Sequence, residues 1–174
     1  MNKKMFLILV LLVLCLTGCK DKKDNEVVTT TKGTTVPSEV KGTTTKSNLV
    51  ECFNTSLNGP YKIDSNYSIY RNGDYVSKIV LKDTVKADHE MIKNDVLNSM
   101  KRKYDELNKK YGGYTYSVTV SDKSFVITVT MDYEKMDITK YLQNNEELKK
   151  YSKDNKFLFD GIVNMYTQEG VTCK

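Results

Sequence analysis

The chain of 174 residues has no tryptophan, one histidine and two prolines. A single histidine leaves no pair of imidazoles for a metal and removes most Ser-His and Cys-His chemistry. His89 stands at the start of a helical pattern, where the helix dipole disfavours an imidazolium, and reads as a surface residue. No glycine-rich phosphate loop, His-Glu-x-x-His or EF-hand pattern is present. Long apolar runs are absent except for one, Met5 to Leu16. It falls short of the roughly 20 apolar residues that a permanent transmembrane helix needs.

That run has the form of an export signal. Lys3 and Lys4 precede it, and Leu16-Thr17-Gly18-Cys19 follows. This order resembles the bacterial lipobox, in which small residues admit the signal peptidase and the cysteine thiol takes a diacylglyceryl thioether. The reading predicts a signal peptide over 1–18, lipidation of Cys19, and a domain held on the extracytoplasmic face of the cell membrane. The alternative is an uncleaved anchor, which the short apolar run disfavours. One acyl chain binds a bilayer marginally and two bind it stably, at about 0.8 kcal/mol per buried CH₂.

Residues 20–47 change composition. They hold eight threonines, in the runs Thr29-Thr30-Thr31, Thr34-Thr35 and Thr43-Thr44-Thr45, with no aromatic residue and only valine as an apolar one. Such a segment cannot bury enough surface to offset its ordering entropy. Residues 19–47 are therefore expected to be a lipidated cysteine and a disordered tether. As a coil the tether would reach roughly 30 Å on average. O-glycosylation of the threonines is compositionally open, a plain linker being the simpler reading.

Charge follows the same division. Of the 27 basic residues, two lie in the signal and six in the tether, leaving 19; four of the 22 acidic residues lie in the tether, leaving 18. A nearly neutral domain has no nucleic-acid footprint, and the sequence pI of 8.8 owes much to signal and tether.

Residues 48–174 read as one α+β domain. Leu49 to Phe53 forms a short strand before the turn Asn58-Gly59-Pro60. Asn72-Gly73-Asp74 joins Tyr67–Arg71 to Tyr75–Val85, and Asn-Gly is a strong hairpin signal. Tyr75, Ile79, Leu81 and Val85 are expected on one face. Ile92, Val96, Met100, Tyr104, Leu107 and Tyr111 then recur at helical spacing, with Asp88 as expected cap, Gly112-Gly113 as stop, and Lys93, Lys101 and Lys109 on the solvated side. A second hairpin follows, with Tyr116, Val118 and Val120 on one arm and Phe125, Ile127, Val129, Met131 and Tyr133 on the other. Ile138–Lys150 is weakly helical, Asp160–Glu169 is a short helix stopped by Gly170, and Val171–Cys173 is an edge strand. The expected fold is an antiparallel sheet of two hairpins and short edge strands on one long amphipathic helix, with shorter C-terminal helices.

Cys52 and Cys173 form an even pair in an exported domain, which fits one disulfide, free thiols being the alternative. Neither has a histidine or Cys-x-x-Cys partner, so a catalytic thiol is unsupported. Asp132, Glu134 and Asp137 are weak candidates for a hard cation or for paired-carboxylate hydrolysis, and they lack the glycine turn of a calcium loop. Tyr67, Tyr70, Tyr75, Tyr114, Tyr116 and Tyr133 fall on hairpin strands. An exposed row of them would stack on sugars or grip a peptide; packed inward they are core.

The order of elements is itself informative. A lipobox and spacer precede a Cys52-Phe53-Asn54 strand and a hairpin through Asp74-Tyr75-Val76-Ser77-Lys78. A helix through Met100-Lys101-Arg102-Lys103-Tyr104, Gly112-Gly113, a strand closing on Val129-Thr130-Met131-Asp132-Tyr133-Glu134, and a helix ending Glu169-Gly170 follow. Over 48–174 this resembles the YehR-like family of small bacterial lipoproteins. The resemblance implies an exported, lipid-anchored α+β domain of uncharacterised activity, with no catalytic residue to transfer. The functional expectation is a non-enzymatic, membrane-tethered module, without cofactor, that binds an envelope protein, peptide or glycan. The alternatives are a small carboxylate-dependent hydrolase and an accessory subunit of a membrane transport or cell-wall complex.

Overall fold

Alternation of apolar and polar residues dictates a sheet with one buried face. The computed structural model describes residues 48–174; Cys19 and the segments expected to be an export signal and a tether lie outside the described residues. Strands β1 (Leu49–Asn58), β2 (Tyr61–Asn72) and β3 (Tyr75–Ala87) form a meander. Helix α1 (Glu90–Tyr111) crosses to β4 (Tyr114–Val120) and β5 (Ser124–Asp132). After α2 (Ile138–Asn144) and a 3-10 helix (Glu146–Tyr151) come a miniature hairpin, β6 (Ser152–Lys153) and β7 (Lys156–Phe157), then α3 (Phe159–Gln168) and β8 (Thr172–Cys173). The main sheet has the order β4-β5-β3-β2-β1-β8, and every pairing is antiparallel. This is the α+β architecture expected from the sequence.

Register places Ile63, Tyr67 and Ile69 of β2, Ile79, Leu81 and Val85 of β3, and Phe125, Ile127 and Val129 of β5 on the buried face, under the helices. The outward positions of β3, Lys78, Lys82 and Lys86, share the other face with threonines and serines. β1 is longer than its apolar run suggests. Asn54–Asn58 is polar apart from the exposed Leu57, yet it pairs residue for residue with β2 through the turn at Gly59-Pro60. Main-chain bonding extends the strand where the apolar pattern has already stopped.

Four local expectations are corrected. A bulge between Tyr70 and Arg71 inserts Ser77 into β3, so Val76 takes the buried face and Tyr75 leaves the face of Ile79. Asp88 does not cap α1: His89 occupies the cap position and no side chain bonds there. Lys93 is not solvated; it is 4% exposed, and its ammonium donates to the carbonyls of Ser121 and Asp122, each at 2.9 Å. The ammonium thereby ties the start of α1 to the β4–β5 turn. The weak helix over 138–150 is an α-helix and a 3-10 turn separated by Asn145.

The double glycine after α1 behaves as expected, both residues having positive φ. At Gly113 a Cβ would sit 2.5 Å from the Asp132 carbonyl oxygen, so a close strand crossing as well as the dihedral requires glycine. At the far edge Cys52 and Cys173 are direct cross-strand partners joined by a disulfide. Glu51 N–H donates to Lys174 O at 3.1 Å and Lys174 N–H to Glu51 O at 2.9 Å, at the pair next to the bridge.

Candidate functional site

The inner face of the sheet and the helices do not close completely on each other. Between them lies a cavity of about 120 Å³. Tyr67 and Tyr114 contribute from the sheet, Tyr104 from α1, Tyr133 from the end of β5, Tyr141 from α2 and Tyr166 from α3. Bulky planar rings stack at their edges and leave a gap that branched aliphatic chains would fill. The Tyr67 and Tyr166 ring centres are 4.8 Å apart, and Phe157 meets Tyr133 and Tyr141 edge-on at 5.2 and 6.1 Å. A cavity of about 150 Å³ is known to hold benzene. The space therefore suits one ring or one branched aliphatic group.

Burial sets the electrostatics of this wall. It pushes the Tyr67 hydroxyl up to about 12, with the Asp83 charge adding to the effect, and it pushes Tyr141 up to about 12 as well. Tyr104, Tyr114, Tyr133 and Tyr166 are raised further, again chiefly by burial. Burial thus holds all six rings in the neutral form at physiological pH.

Beneath Tyr67 the sheet carries Asp83, only 1% exposed, on the inner face of β3. Ser65 on β2, its cross-strand partner, donates its hydroxyl to Asp83 Oδ1 at 2.6 Å, while Oδ2 has no hydrogen bond among the described residues. Desolvation raises this carboxyl to about 6 against the hydrogen bond from Ser65 and the positive charge of Lys103. Lys103, on the cavity wall, is itself lowered by burial and partly restored by Asp83.

The six tyrosines singled out in the sequence are divided among three places. Tyr67, Tyr114 and Tyr133 line the cavity. Tyr70 lies on the opposite face of the sheet with the Lys78 ammonium 4.3 Å from its ring centre. Tyr75 sits at the β2–β3 hairpin near Lys156, and the Tyr116 hydroxyl donates to Asp105 at 3.0 Å beside the free edge of β4. They make no single row. Sequence reading missed Tyr104, Tyr141, Tyr166, Lys103 and Asp83 at this site. Asp83 had a signal: an acid at an inward position between Leu81 and Val85.

The carboxylates of Asp132, Glu134 and Asp137 are engaged in holding turns. Asp132 pairs with Lys135 at 2.7 Å, which draws its carboxyl below the usual range, and accepts from Glu134 N–H at 3.1 Å. Asp137 caps α2 through Lys140 N–H at 2.9 Å, and Glu134 accepts from Asn72 at 3.4 Å. No group of metal-ligating side chains occurs among the described residues.

Residues 37–174 match the family model of a domain of unknown function, DUF8824. The chain belongs to that family. The DUF8824 match begins ahead of Asn48, so the family unit includes part of the segment assigned to the tether. No curated protein matches the chain. Among solved structures it is similar to the YehR protein of E. coli, at 16% identity over 73% of this chain and 91% of that one, with a TM-score of 0.53. A protein from Streptococcus pneumoniae TIGR4 matches at 13% identity over 90% of this chain and all of that one, with a TM-score of 0.46. The YehR likeness concerns the fold alone.

Proposed function

We propose that this DUF8824 protein is a lipid-anchored, extracytoplasmic binding module that takes a small apolar group into its tyrosine-lined cavity without chemical change. The observation that carries the reading is the cavity itself: six neutral tyrosines around a space sized for one ring. The lipobox ending at Cys19 supports the anchor, and the disulfide suits an oxidising compartment. The bound group would belong to a peptide side chain, a glycan substituent or a small amphiphile of the envelope. Neutral rings, and the engagement of Asp132, Glu134 and Asp137 in turns, favour binding over hydrolysis.

The test uses the full chain in detergent, with toluene and phenol as probes. Saturable binding that raises the melting temperature is expected, and Ile162→Phe, on the α3 wall of the cavity, should fill the space and abolish it while leaving the protein folded. Absence of saturable binding by the parent chain, or equal binding by Ile162→Phe, overturns the cavity reading. For the anchor, Cys19→Ser should move the protein out of the membrane fraction; unchanged membrane retention overturns lipidation.

A further inference from the structure

We propose that the group taken into the tyrosine cavity is a quaternary ammonium head, held by the rings and by Glu169 at the rim. The proposal rests on the cavity reading above and names the chemical class of its ligand. A trimethylammonium head has the shape of a branched aliphatic group, so the space of about 120 Å³ admits it.

Charge decides between that head and its neutral counterpart. Two charged side chains line the cavity, Lys103 from α1 and Glu169 at the end of α3. The Lys103 ammonium has its counter-charge in Asp83, whose carboxylate favours the charged lysine against its burial. It also lies over the Tyr104 ring, 5.5 Å from the centre, so this wall already sets one cation against a ring. Glu169 is exposed yet part of the lining, which marks where the cavity reaches the surface. Its carboxylate makes no ion pair or hydrogen bond among the described residues. Lys103 and Asp83 offset each other, and Glu169 leaves the site with one negative charge in excess. The last turn of α3, with Met165 and Tyr166 on the wall, adds the negative end of a helix dipole.

The rings act in the same sense. A neutral tyrosine carries the negative pole of its quadrupole on its faces, and an occupant of so small a space lies against several rings at once. A quaternary head is the cation suited to such a site. Its charge is spread over methyl groups, and it has no N–H to leave unsatisfied among them, whereas a primary ammonium would be buried without its hydrogen bonds.

The experiment measures binding to the full chain in a maltoside detergent by calorimetry. The probes are choline and neohexyl alcohol, the neutral isostere in which carbon replaces nitrogen, with toluene as control. Choline should bind saturably and about tenfold more tightly than the isostere. Glu169→Gln, at an exposed position, should weaken choline several-fold and leave the isostere unchanged. Glycerophosphocholine that binds as well as choline assigns an esterified head group, and one that binds far more weakly assigns the free amine; both results keep the class. An isostere that matches choline, or a Glu169→Gln variant that keeps the full preference for the cation, overturns the proposal. Toluene bound without choline overturns it and leaves the cavity reading standing; no probe bound overturns both.

Discussion

The two edges of the sheet are finished by opposite means. Beyond β1 lies β8, only two residues long, held by the Cys52–Cys173 bridge and the reciprocal Glu51–Lys174 main-chain bonds. Beyond β4 lies nothing among the described residues except the Asn108 side chain. A pair of hydrogen bonds contributes only about 0.5–1.5 kcal/mol each, too little to order a chain end. The covalent link keeps β8 in place and covers the start of β1. Where no such link exists, a full-length uncharged strand ends the sheet among the described residues.

The largest test of that contrast removes the link. Cys173→Ser should lower the unfolding free energy in urea by about 2–5 kcal/mol, as expected for a bridge closing a long loop. A change below about 1 kcal/mol would mean that β8 docks without its bridge.

Next in size is the acid in the central strand. Asp83 has a folded pKa of about 6 against an ordinary 3.8, so its charge opposes folding. Its cost is absent below about pH 4, grows as pH rises toward 6, and is constant above, at about 3 kcal/mol. Asp83→Asn keeps an acceptor for Ser65 and should stabilise the protein by about that amount at pH 8 but not at pH 4. Equal melting temperatures for the two proteins across this range would show that the carboxylate is better compensated than its burial implies.

The smallest effect lies at the open edge. Lys93→Met leaves the Ser121 and Asp122 carbonyls without their ammonium and should cost about 1–3 kcal/mol. Faster amide exchange confined to the β4–β5 turn and the first turn of α1 would localise the loss; exchange that rises equally at the β8 edge would show that the clamp is not local.

Much of the fold was legible because strand and helix periods are local properties. The α1 stripe is buried at Tyr104, Leu107 and Tyr111 where its spacing placed it, and both strong hairpin turns are present. The bulge at Ser77 was not legible, since it depends on how β2 and β3 fit together. Nor was the inward turn of Lys93, which answers carbonyls 28 and 29 residues away. The tyrosine site was half legible: three of the six strand tyrosines line it, and Tyr104, Tyr141 and Tyr166 reach it from three helices.

By itself the sequence determined the fold class, the long helix, the pairing chemistry open to two domain cysteines, and the expectation of an export signal over 1–18 ahead of Cys19. Each follows from composition, spacing or a contiguous motif. Only tertiary structure decided which tyrosines meet, that a cavity remains between them, that Asp83 is buried beside Ser65, and that β4 is the last strand of the sheet among the described residues. Those depend on strand order and helix placement, which bring together residues far apart in the chain.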